Sequence, residues 1–161
     1  MSRQQPTNID DLLRSVARIA ETNTPAIESL TRLSDSDLFS ALGQRLTSDE
    51  PAIASPIDPD DLLRTSALQN LGRSVFRRWN NALHDFVCKS SGEDQALRDK
   101  LIQALTGKEG GTAIIAGILV AAFGASPAIA AILATLLIRI IVAPAASEIC
   151  KAWTAALAKP L

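Results

Sequence analysis

A chain of 161 residues is the length of one domain, long enough to bury about two thirds of its unfolded surface without disulfides or metal ions as staples. Its 16 basic and 17 acidic residues leave no global field to gather nucleic acid, and two cysteines are too few for a disulfide framework. These figures exclude a basic nucleic-acid-binding domain and a cysteine-stapled miniprotein.

The N-terminus, MSRQQPTNIDD, has no apolar stretch to act as a secretion signal, so the expected location is a reducing cytoplasm, with membrane association left to the rest of the chain. The first predicted helix carries Ile9, Leu12, Leu13, Val16 and Ile19 at helical spacing, with Thr7 or Asn8 as N-cap and Asp10 and Asp11 in its first turn. Thr24-Pro25 reads as a restart that opens a second short helix bearing Ile27, Leu30 and Leu33. Ser36 opens a third, with Leu38, Leu42 and Leu46, and these short amphipathic helices fill residues 1–47.

Residues 48–58, with Pro51 and Pro56 among polar neighbours, read as a linker. Residues 59–106 then hold a long amphipathic helix and a shorter one. Leu68, Leu71, Val75, Trp79, Leu83 and Phe86 form the apolar stripe of the long helix, and Gly72 is its weak point. Arg77 and Arg78 beside Trp79 read as a solvated face around a core tryptophan, not as a nucleic-acid contact. The shorter helix carries Leu97, Leu101 and Leu105 and stops at Thr106-Gly107. The echo between DDLLRS at Asp10 and DDLLRT at Asp60 covers six residues and is explained by two helix starts with acidic first turns.

The charges are very unevenly placed. From Gly110 onward the only charged residues are Arg139, Glu148, Lys151 and Lys159. Residues 112–158 read as an apolar hairpin followed by an amphipathic end helix that carries Ile149, Trp153 and Leu157. Gly124 is a natural C-cap and Ser126-Pro127 a natural restart, so the oily run breaks into two arms. The first arm rises about 18 Å, too short to cross the roughly 30 Å of a bilayer's hydrocarbon core. Ala113, Gly117 and Ala121 recur every four residues, as do Ala130 and Ala134, which gives each arm a small face for close helix packing. Ile114, Ile118, Phe123, Ile129, Ile132, Leu133, Leu136 and Leu137 then face either lipid or a sheath of amphipathic helices. Arg139 and Trp153 are candidate anchors at a membrane boundary. Gly107, Gly110 and Gly111 form a candidate hinge.

Catalytic chemistry is thin. His84 is the single histidine, and although His84, Cys88 and Cys150 supply three metal-binding side chains, two core thiols and a singly hydrogen-bonded imidazole account for them. Cytoplasmic conditions argue against a disulfide between the two cysteines. TGKEGGT lacks the spacing and the Ser or Thr of a phosphate loop.

The sequence therefore points to an all-α chain, one domain folded as a bundle of six to eight helices with a very apolar C-terminal hairpin. The expected function is non-enzymatic and needs neither cofactor nor metal: a membrane-engaging effector of pore-forming or membrane-perturbing type. Membrane lipid or a protein would be its partner, with no role for nucleic acid, and a homo-oligomer is a further option. The alternative is a soluble protein-protein interaction module whose hairpin is its core or its docking face.

Overall fold

The computed structural model describes residues 9–47, 61–89, 95–106, 110–141 and 146–159. The chain folds as an all-α bundle, and among the described residues there is no strand. In chain order the helices are α1 (Ile9–Leu30), α2 (Asp35–Thr47), α3 (Asp61–Cys88), α4 (Gln95–Leu105), α5 (Gly111–Phe123), α6 (Pro127–Ile140) and α7 (Ile149–Leu157). A 3-10 turn, Ala146–Glu148, leads into α7. The linker expected at 48–58 lies outside the described residues.

Helix α1 corrects the first expectation, because it runs unbroken through Pro25. Val16, Ala20, Asn23 and Ile27 are buried at alternating spacings of four and three, so one face stays on the core on both sides of the proline. That burial offsets the roughly 3 kcal/mol an interior proline costs. Thr24 Oγ1 donates to the Ala20 carbonyl at 2.9 Å, beside the carbonyl that proline leaves unbonded.

The buried line of α3 is also rotated from the expected stripe. Gly72, Phe76, Asn80, Leu83 and Val87 face inward, whereas Leu71 is 37% exposed. A small and a polar residue occupy core positions there, which a count of large apolar side chains does not find. Gly72 is no weak point: a methyl group on it would strike the Phe39 carbonyl of α2, and one on Gly43 would strike the Leu68 carbonyl of α3. The absence of side chains at these two positions lets α2 and α3 cross closely.

The α5–α6 hairpin occupies the centre. Helix α1 lies along both of its arms, α4 packs on α5, and α2, itself paired with α3, packs on α6. Ile115, Ile118, Leu119, Leu133 and Leu136 are fully buried. Each such side chain contributes about 1.5–3 kcal/mol to stability.

Candidate membrane-engaging hairpin and its clasp

The hairpin is built by two capping devices. Gly124 adopts φ 76°, a left-handed conformation that favours glycine. Its N–H donates to Val120 and that of Ala125 to Leu119, which ends α5. Ser126 Oγ then accepts from the Ile129 N–H, with Pro127 in the first turn, and starts α6. The two arms are thus antiparallel neighbours joined by a tight, uncharged turn.

The residues proposed to face lipid or sheath are placed mainly against the sheath. Ile118, Leu133 and Leu136 have no exposed surface, Ile132 and Leu137 are buried, and Ile114 and Ile129 are half-buried. Phe123 differs: it is 37% exposed at the turn, flanked by exposed Ala122, Ser126 and Pro127. Its ring meets Trp79 at 6.4 Å and Phe86 at 5.4 Å, both edge to face. The turn itself therefore carries no charge, and it packs on two aromatic rings of α3, one of which, Phe86, also faces the Arg98 guanidinium at 6.0 Å.

Among the small residues, Ala113, Ala130 and Ala134 are buried and Ala121 half-buried. Gly117 serves α1: a methyl group there would lie 2.5 Å from the Val16 carbonyl oxygen. Of the hinge candidates, Gly107 lies outside the described residues and Gly110 takes the left-handed cap position of α5, with φ 81°. Gly111 is a packing position, since a methyl group on it would strike the Ala104 carbonyl of α4.

Arg139 is a cap for α1. Its Nη1 donates to Asp35 Oδ1 at 3.0 Å, and its Nη2 donates to the Thr31 carbonyl at 2.8 Å, so it binds the end of α1 and the start of α2 together. Arg98 does the same for the last turn of α3, with Nε donating to the Phe86 carbonyl at 3.3 Å. Neither partner is adjacent in sequence.

The C-terminal helix brings the largest correction. Cys88 and Cys150 form a disulfide, with their Cα atoms 5.8 Å apart. Neither thiol is free to join His84 as a metal ligand. Trp153, expected as a boundary anchor, is fully buried, and its Nε1 donates to Asn80 Oδ1 at 2.6 Å. His84 Nε2 lies 3.1 Å from Thr154 Oγ1, and the His84 ring packs at 5.8 Å from that of Trp153. Asn80, His84 and Cys88 are four residues apart on one face of α3, and each meets a residue of the first turns of α7. Asn80 was missed in the sequence. The signal available was this column of polar and thiol residues on an otherwise apolar side.

Among the described residues no helix is long and apolar enough to cross a membrane. Compared with protein-family models, curated proteins and solved structures, the chain matches none of them.

Proposed function

We propose that this protein is a non-enzymatic, membrane-engaging one that carries its most apolar helix pair under an amphipathic sheath and delivers the tip of that pair into one leaflet. The observation that carries the reading is the tip itself, where the uncharged turn of the hairpin exposes Phe123 beside Trp79 and Phe86 of α3. Each arm rises about 20 Å, short of a bilayer's roughly 30 Å core but longer than one leaflet of about half that depth. Entry from the tip would leave Arg139 at the headgroups, where its side chain can reach water. Three of the buried polar residues, Asn80, His84 and Thr135, are engaged by structural partners, which fits a non-catalytic role. Pairing of the cysteines supports a working life that includes an oxidising compartment, instead of the cytoplasm alone.

A second reading rests on the burial of Ile118, Leu133 and Leu136. On that reading the hairpin is simply the core of a helical interaction module.

The test adds protein made without detergent to anionic phospholipid vesicles loaded with a self-quenched dye, in both redox states. Dye release that is lost in Phe123→Asp, with wild-type helicity retained, is the expected result. Exposure of Phe123 makes this variant usable, whereas Ile118→Asp or Leu136→Asp would place a carboxylate in the core. Absence of binding and of release in both redox states sinks the lipid reading and leaves the interaction module.

A further inference from the structure

We infer that the Cys88–Cys150 disulfide is a redox latch: while it is intact α7 stays seated on α3, and its reduction frees α7 and opens the bundle at the base of the hairpin. This names a trigger for the membrane reading and rests on that reading for its purpose, though not for its test.

Three features carry the inference. A nine-residue helix such as α7 does not hold its shape alone in water, so it depends on being docked. Its docking is local: Ile149 and Trp153 enter the core, Trp153 and Thr154 bond to Asn80 and His84, and the disulfide fixes the first turn. Finally, the disulfide joins residues 62 apart, and the loop it closes contains α4, α5 and α6. The covalent tie sits at the end of α3 whose Phe86 meets the hairpin tip at Phe123, so α7 runs from the tip side of the bundle toward its base. At its other end α7 places Ala156 and Lys159 beside Ile140, the last residue of α6, and Asp35, the partner of Arg139. Release of α7 uncovers this base.

Both cysteines are only half-buried, which gives a reductant access. A thiolate of an external dithiol attacks one Sγ, the S–S bond breaks, and a mixed disulfide forms. The second thiolate of the dithiol then displaces the protein sulfur and closes the reductant's own disulfide. Two electrons and two protons remain on Cys88 and Cys150 as thiols, and the dithiol leaves oxidised.

The experiment uses Trp79→Phe, which leaves Trp153 as the sole tryptophan. In lipid-free buffer, emission and acrylamide quenching are followed before and after dithiothreitol, with thiol titration to confirm reduction and circular dichroism to follow helicity. The latch requires blue, poorly quenched emission when oxidised. On reduction it requires a red shift and at least threefold stronger quenching, with helicity lost only to the extent of one short helix. Cys88→Ser with Cys150→Ser should copy the reduced state, and if that variant does not fold, reduction of the intact protein decides alone. Complete reduction with unchanged Trp153 emission overturns the latch. So does collapse of all helicity, which would make the bond a support of the whole fold. Equal dye release by oxidised and reduced protein overturns the trigger. Release of α7 in buffer without dye release in either state keeps the latch and removes the membrane reading.

Discussion

The hairpin and α7 are both apolar helical segments of the last third of the chain, yet different forces hold them. The hairpin is held by many non-directional contacts spread over α1, α2 and α4, with eight residues that have no exposed surface. Helix α7 is held by one tryptophan in a socket, two polar contacts and a covalent bond. A 62-residue loop makes that bond worth about 4 kcal/mol through the unfolded chain's lost entropy, whereas each hydrogen bond adds about 1 kcal/mol. Under the proposed latch, reduction would open the bundle first at α7, and the hairpin would leave only after the sheath had parted.

Substitutions break or sharpen this contrast. The largest effect is expected from Leu136→Asp, which buries a carboxylate without a partner and should abolish cooperative folding, at a cost above about 5 kcal/mol, seen in urea denaturation. Trp153→Ala should cost about 3–5 kcal/mol. Hydrogen exchange should nevertheless show the amides of α5 and α6 still protected while α7 exchanges freely, the result that separates the two regions. Gly117→Ala pushes a methyl group into the α1 backbone and should lower stability by about 1–3 kcal/mol while leaving α7 protected. The smallest effect has the opposite sign. Asn23 is buried in α1 and its Nδ2 has no hydrogen-bond partner among the described residues, so Asn23→Leu should raise stability by about 1 kcal/mol. By tightening the sheath it should also slow dye release from vesicles.

The sequence makes the helices and the hairpin turn legible because their signals are local. Gly124, Ser126 and Pro127 state the break between the arms, and the run without charge from Gly110 to Ile138 marks the centre of the bundle. The features that escape it depend on residues far apart in the chain. Arg139 finds Asp35, 104 positions away, and Asn80 finds Trp153, 73 positions away. The cysteine pairing also escapes it, because an argument about compartment carries no information on the distance between two side chains. Pro25 stays inside α1 because burial on both sides outweighs a local stop signal. On α3 the inward face follows Gly72 and Asn80, residues chosen for close approach and for a hydrogen bond, which an apolar periodicity ignores.

The measurement that most directly tests the central claim places a reporter at the tip. Phe123→Trp in the Trp79→Phe background is added to anionic vesicles whose acyl chains carry bromine, a short-range quencher, and is compared with the same background lacking the tip tryptophan. The account expects additional quenching at position 123, stronger after the disulfide is reduced, as the tip enters the hydrocarbon. Emission at position 123 that bromine leaves unchanged in both redox states would contradict it and leave the hairpin as the core of a bundle that never meets lipid.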